Sequence, residues 1–282
     1  MKLIESKVEV IEQQPGLEGV YKQIELAGRT CYKSEDKITE DSAKEFVDRM
    51  IKSKHGAMLE HGTVYLKYVA TYNIEDESWG IPQNFHPFLF ERNKYSVVRK
   101  LESPNECVWF ITTNLRAVIE MQLEGWEKYM CDPTDMHEKR ITARFTCDMG
   151  VGRELTRHRT LSFAQESTRY CNYGKSKFGA ELTFVRPEWY KKTLENTHAG
   201  FERFLEEAQE IYIALLDQGY AAQEARQVLP LALKTEIVVT GFESDWYHFF
   251  SLRSPKAGAQ GAHPDIAKLA DELYEKLNSV NK

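Results

Sequence analysis

The sequence predicts an α/β (α+β) chain: a mixed, mostly antiparallel sheet flanked by helices, with a helical insertion. Three observations carry that expectation. Short segments alternate polar and apolar residues as half-buried strands do, most cleanly Arg140-Ile141-Thr142-Ala143-Arg144-Phe145-Thr146-Cys147. Other segments repeat apolar residues at helical spacing, such as Phe201, Phe204, Leu205, Ala208, Ile211, Tyr212 and Leu215. Finally, the glycine turn after the first of these, Gly150-Val151-Gly152, places Leu155 where a dinucleotide-binding fingerprint needs its third glycine. No strand with a terminal acid follows about twenty residues on, so a Rossmann unit is excluded.

In chain order, Lys7–Ile11 reads as a strand and Pro15-Gly16 as a turn. Leu17, Val20, Tyr21, Ile24 and Ala27 then recur at helical spacing, and Gly28-Arg29-Thr30-Cys31-Tyr32 reads as a loop. Thr39 or Asp41 caps a second helix, with Ala43, Phe46, Val47, Met50 and Ile51 inward and basic residues, then Gly56, at its end. Thr63–Tyr68 is strand-like. Residues 72–139 hold an irregular aromatic stretch (Trp79, Pro82, Phe85, His86, Pro87, Phe88, Phe90), then a helix over Thr113–Lys128 with Leu115, Val118, Ile119 and Trp126 inward. A short helix carries Arg153 to Arg159, and polar Ser162–Tyr173 is a loop folding back over it. Strand Glu181–Val185 and the long helix follow. After Gly219 come helical Ala221–Leu229, strand Thr235–Thr240, helix Asp245–Arg253 and a last helix starting at Pro264. With no repeat, low-complexity tract or linker, residues 1–282 read as a single domain.

Composition narrows the class. The chain is 42% hydrophobic and 28% charged, ordinary for a soluble globular protein. A mean hydropathy of −0.52 and no apolar run near ~18 residues exclude a membrane span. The net charge of −6 argues against a general nucleic-acid or acidic-membrane binder. Met1–Lys7 alternates charged and apolar residues, unlike a signal peptide. Five cysteines without a C-x-x-C pair then imply reduced thiols and a cytoplasmic location.

Residues 153–173 concentrate the chemistry. Arg153, Arg157, Arg159 and Arg169 face only Glu154 and Glu166, interleaved with His158, Ser162, Gln165, Ser167 and Thr168. Arginine forks suit phosphate or carboxylate oxygens, so this is a local site for an anionic ligand inside an acidic protein. On a helix Arg157 and Arg159 lie about 200° apart, so they address two anionic groups rather than one. His55, Glu60 and His61 are close in sequence, but not at H-E-x-x-H spacing, and no metal site is expected.

Arg157-His158-Arg159, seven residues, then Ser167 is similar to the signature of the flavin-dependent thymidylate synthases. Arg169-Tyr170, His55-x-x-x-x-Glu60-His61, Ala221–Pro230 with Arg226, and Phe249–Arg253 with Ala259-Gln260 extend the resemblance over most of the chain. It implies a homotetramer of mixed α/β fold with composite active sites. The implied reaction makes dTMP from dUMP with methylenetetrahydrofolate as carbon donor, NADPH as reductant and FAD as cofactor. Carried over by position, His55, Ala57, Arg157, His158, Arg159, Gln165 and His248 would contact the flavin. Glu154, Arg157, Gln165, Ser167, Thr168, Arg169, Arg226 and Arg253 would hold dUMP, with Arg253 the catalytic cation against the pyrimidine. Some positions depart from the family pattern. Ala164-Gln165 replaces a common Asn-Glu, Cys31 a serine and Ala57 a threonine, and an Asn-Leu-Arg flavin contact has no counterpart around Phe242–Ser244. Two other readings remain: a flavin- or nucleotide-binding protein without synthase activity, and a single-stranded nucleic-acid binder stacking bases on Tyr170 and Tyr173.

Overall fold

The computed structural model describes residues 1–73, 78–80, 87–174 and 181–279. Pro82, Phe85 and His86 of the aromatic stretch lie outside these described residues. In order, the elements are β1 (Lys2–Ile4), β2 (Lys7–Ile11), α1 (Gly16–Tyr32), α2 (Ser42–Lys52), α3 (Gly56–Leu59), β3 (Thr63–Asn73), β4 (Ser78–Trp79), α4 (Phe88–Glu91), β5 (Val97–Glu102) and β6 (Glu106–Asn114). There follow α5 (Leu115–Glu120), β7 (Arg140–Asp148), α6 (Met149–Leu155), β8 (Ser162–Gln165), β9 (Thr183–Val185), α7 (Glu195–Asp217), α8 (Ala222–Ala225), β10 (Lys234–Phe242), α9 (Glu243–Arg253) and α10 (Pro264–Ser279).

The sheet that organises the chain runs β2-β7-β10-β8, antiparallel throughout. β7 and β10 pair from Arg140 opposite Phe242 to Asp148 opposite Lys234. Successive side chains of a strand point to opposite faces, and here both faces are covered. Val8, Phe145, Ile237 and Val239 meet Trp246 and Phe249 of α9 and Leu269 and Leu273 of α10. On the other face, Val238 and Ala164 join Ile24 of α1, Phe46 of α2 and the second sheet's Leu66 and Ile111. The alternation in β7 therefore marks a polar face that is largely covered, with Thr142 and Thr146 buried and Arg144 partly exposed. Thr142 and Thr240 hydroxyls lie 2.9 Å apart, Thr240 Oγ1 lies 2.9 Å from His61 Nδ1, and Arg144 donates to Glu9 at 2.6 Å. α7 closes a third core over β1 and β9 through Leu205, Tyr212, Leu182 and Phe184.

Residues 72–139 correct the expectation of a helical insertion. Their main elements are β5 and β6, which with β3 and β4 build an antiparallel sheet in the order β4-β3-β6-β5. β6 is buried from Cys107 to Asn114, so it has no alternation for a period count to find. The expected helix over Thr113–Lys128 shrinks to α5, capped where the Asn114 side chain accepts from the Ala117 N–H at 3.0 Å, and a 3-10 turn at Trp126–Tyr129.

Gly28–Tyr32 is also not a loop. α1 continues through Tyr32 and ends at Lys33, whose left-handed conformation (φ 48°, ψ 54°) turns the chain. Gly28 serves helix packing: a Cβ there would stand 2.4 Å from Phe46 Cζ. Asp41 precedes α2 without a side-chain cap, and Ser42 Oγ instead accepts the Thr39 N–H at 2.9 Å and donates to Glu25 at 2.8 Å.

Candidate active site

The R-H-R segment begins where α6 stops. Asp148 caps this helix by accepting the Val151 N–H at 2.9 Å, and the helix is over at Leu155. Arg157, His158 and Arg159 therefore occupy the following turns, held by Arg157 N–H to Glu154 O at 3.2 Å and Leu161 N–H to His158 O at 3.0 Å. The helical angle expected between Arg157 and Arg159 does not apply. Both are exposed, and among the described residues neither has a carboxylate partner.

His158 turns inward against Phe249, with ring centroids 5.0 Å apart. Arg253, at the end of α9, donates Nε–H to His158 Nε2 at 3.3 Å and Nη1–H to Glu154 Oε2 at 2.5 Å. Burial, then the Arg253 charge and His248, push the imidazole pKa down to about 4. The ring is thus neutral at physiological pH and presents a bare Nε2. The structure brings together Glu154, His158 and Arg253, with exposed His248 on the same helix as Arg253.

Ser162–Gln165 is strand β8, not a loop, because it adds to the edge of β10 with Gln165 opposite Ile237. That pairing turns Gln165 toward α6: its amide donates to Thr235 Oγ1 at 3.2 Å and would crowd any side chain at Gly152. Beyond the strand, Ser167 N–H donates to Cys31 O at 2.9 Å, Arg169 N–H to Ser167 Oγ at 3.3 Å, and Arg226 Nη1–H to Thr168 Oγ1 at 3.1 Å. Tyr32 stands beside them, its ring 5.7 Å from that of Tyr170 and its hydroxyl 3.1 Å from His55 Nδ1. Ala57 is half-buried in α3 and offers only backbone polar groups. This second group (His55, Tyr32, Ser167, Thr168, Arg169, Arg226) and the first (Glu154, His158, Arg253) share no hydrogen bond or ion pair among the described residues.

The histidine–glutamate run upstream disperses to separate partners. His55 meets Tyr32; buried His61 meets Thr240, with burial lowering its pKa to about 3; Glu60 accepts from Ser162 at 2.6 Å and Arg116 at 2.6 Å. A cavity of about 530 Å³ between the exit of β2 and the second sheet is lined by Val10, Tyr65, Met130 and Arg140, and contains none of the expected site residues.

A buried ionic cluster escaped the sequence reading. Glu166 accepts from the Tyr173 hydroxyl and Lys234 Nζ, each at 2.8 Å, and from the Glu236 N–H at 3.2 Å. Lys33 reaches Glu236 at 2.7 Å and lies 3.8 Å from Glu166. Burial opposes ionisation of Glu236, but Lys234 and Lys33 outweigh it and hold the acid down to about 2. The same cluster raises the Tyr173 phenol, through burial first and then Glu166. It fixes the backbone immediately before Ser167. Lys234 and Glu236 on one side of an otherwise apolar strand, Ile237–Val239, are the signal that could have revealed it.

With this geometry in hand, comparison with known proteins gives one result. Residues 136–281 match the family model described as thymidylate synthase complementing protein. Over 173 residues the chain is 35% identical to the flavin-dependent thymidylate synthase of Pyrococcus furiosus, covering 56% of this chain and 68% of that protein. The Pyrococcus abyssi protein of the same name is 32% identical with the same coverage. A solved structure of the UMP/dUMP methylase PolB from Streptomyces cacaoi aligns with 99% of this chain and 93% of its own at 18% identity and a TM-score of 0.46. The chain is a mixed α/β protein of the thymidylate synthase complementing type. It belongs to the flavin-dependent thymidylate synthase family.

Proposed function

We propose that the protein methylates dUMP to dTMP in the cytoplasm, with methylenetetrahydrofolate as carbon donor, NADPH as reductant and FAD as the bound redox group. Family membership supports the reaction. The observation that carries the residue assignment is the contact of Arg253 with both His158 and Glu154, which ties the R-H-R motif to α9 across the sequence.

The side chains fit an anionic dinucleotide such as FAD. Exposed Arg157 and Arg159 have no carboxylate partner among the described residues and are available to phosphate oxygens. His55, His158, Gln165 and His248 add hydrogen-bonding groups, and Ala57 contributes backbone. When bound, FAD supplies the hydride chemistry. Ser167, Thr168, Arg169 and Arg226 would bind the dUMP phosphate, with Arg157 adding a further cation. Glu154 and Gln165 would orient the nucleotide, and Arg253 would face the pyrimidine.

Arg253 acts by electrostatics. Held by Glu154, its cation stands ready for negative charge developing on the ring as C5 becomes nucleophilic. A neutral His158 accepts from it without adding a competing cation. Family membership supports composite sites in a homotetramer, with residues 72–139 an elaboration of a single catalytic unit.

The test is anaerobic conversion of dUMP to dTMP with methylenetetrahydrofolate and NADPH, with and without added FAD. FAD-dependent product establishes the reaction. One second reading, a flavin- and nucleotide-binding protein without synthase activity, rests on Ala164-Gln165 standing where the family commonly has Asn-Glu. A bound-flavin spectrum and dUMP binding without dTMP would select it.

A further inference from the structure

An open groove of about 710 Å³ runs between the end of α1 and the outer side of α2. Arg29, Lys37, Arg49 and Lys52 line it, and no carboxylate does, in a chain of net charge −6. Arg29 is neutralised by buried Glu25 at 3.0 Å. Lys37, Arg49 and Lys52 are exposed and have no ion pair among the described residues.

Arg49 and Lys52 lie in the last turn of α2, where cations also favour the helix dipole. Lys37, in the last turn of the 3-10 segment after α1, and Arg29, in the last turn of α1, meet the same preference on their own elements. Separate elements thus send like charges to one groove. Phe46 fixes two of them, its buried ring lying 4.9 Å from the Arg29 guanidinium and 5.6 Å from that of Arg49. Mutual repulsion among unpaired cations is relieved by a multiply charged anion, and the groove concentrates such a ligand.

The groove also abuts the candidate site. Tyr32 lines it while its hydroxyl meets His55 and its ring meets Tyr170. We propose that this groove binds a phosphate group of a dinucleotide used in the reaction. The inference rests on the proposed function, which requires two such molecules: the reductant NADPH, with its extra 2′-phosphate, and FAD. Their phosphates share one recognition chemistry, and the binding data assign the source.

The experiment uses the FAD-loaded enzyme and the Lys37→Gln/Lys52→Gln double variant, with Arg49→Gln as a second. KM is measured for NADPH, NADH and dUMP, and Kd for FAD by flavin fluorescence. A rise of about tenfold in the NADPH KM, with NADH and FAD unchanged, assigns the groove to the 2′-phosphate. A comparable rise in the FAD Kd, with the NADPH KM unchanged, supports the phosphate site and assigns it to the flavin. Wild-type values for NADPH, NADH and FAD in both variants overturn the inference. Wild-type enzyme that binds no FAD or forms no dTMP instead overturns the function on which it rests.

Discussion

Arg253 points its Nε–H at the bare Nε2 of His158, 3.3 Å away. A donor there requires the imidazole proton to be on Nδ1, so Arg253 selects the tautomer as well as lowering the pKa. The folded ring should stay neutral until the pH falls to about 4, whereas an unfolded histidine protonates near 6.5. Ring-carbon NMR of the ligand-free protein checks this, and Arg253→Ala should raise the midpoint. By linkage, this histidine costs stability as pH falls from about 6.5 to about 4, because only the unfolded chain takes up the proton over that window.

Replacing Arg253 with alanine should reduce dTMP formation by about a hundredfold or more, as for loss of one preorganised electrostatic contact. FAD should remain bound, because the proposed flavin phosphates are held elsewhere. Flavin absorbance after gel filtration and the anaerobic assay separate the effects. Unchanged turnover would remove Arg253 from catalysis.

Arg226→Ala should raise the KM for dUMP by about tenfold while changing kcat little, since its proposed partner is an unreacting phosphate. Among the described residues Arg226 donates to the Thr168 hydroxyl. Initial rates across dUMP concentrations make the distinction.

Lys234→Met should destabilise the fold by about 3 kcal/mol, because buried Glu166 loses its 2.8 Å cation and must share Lys33, 3.8 Å away, with Glu236. The paired Glu166→Leu/Lys234→Met change should cost less than the sum of its single changes. Glu236 adds an acid dependence. Its unfolded carboxyl protonates near 4.5 but its folded one only near 2, so its stabilisation is complete above about 4.5 and is lost as pH falls toward 2. Denaturant midpoints measured against pH should show this slope in wild type and not in Glu236→Gln.

Gly28→Ala should destabilise despite its position in a helix. Alanine gains about 1 kcal/mol in helix propensity. Its Cβ, however, would sit 2.4 Å from Phe46 Cζ, and moving a buried ring costs about 1–3 kcal/mol. Phe46→Leu should reverse the sign of the Gly28→Ala effect, as thermal melts of the double variant would report.

Gly28 also shows where the sequence stops being readable. Its glycine looked like a turn because local rules weigh neighbours in the chain, whereas its reason lies on another helix. β7 and α10 were legible because their faces carry a regular pattern. β6 was not, since a strand buried throughout has no period. The R-H-R motif identified its residues but not their setting: the Asp148 cap starts α6 early enough that Arg157 and Arg159 fall beyond it. The sequence singled out Arg253 and Glu154 separately, and their contact depends on tertiary packing.

One face of the central sheet is apolar and the other mixes hydroxyls and ions with Val238 and Ala164, and this limits how its distant strands can come together. β7 and β10 must find one another across a long intervening chain, a slow closure with room for misalignment. A slip by one residue would drive Lys234 and Glu236 into the aromatic layer beneath α9 and turn Ile237 and Val239 toward hydroxyls and ions. Every odd-numbered slip is therefore penalised on both sides at once. The polar layer is a proofreading device for strand pairing, and it delivers the residues before Ser167 to the same place each time the protein folds.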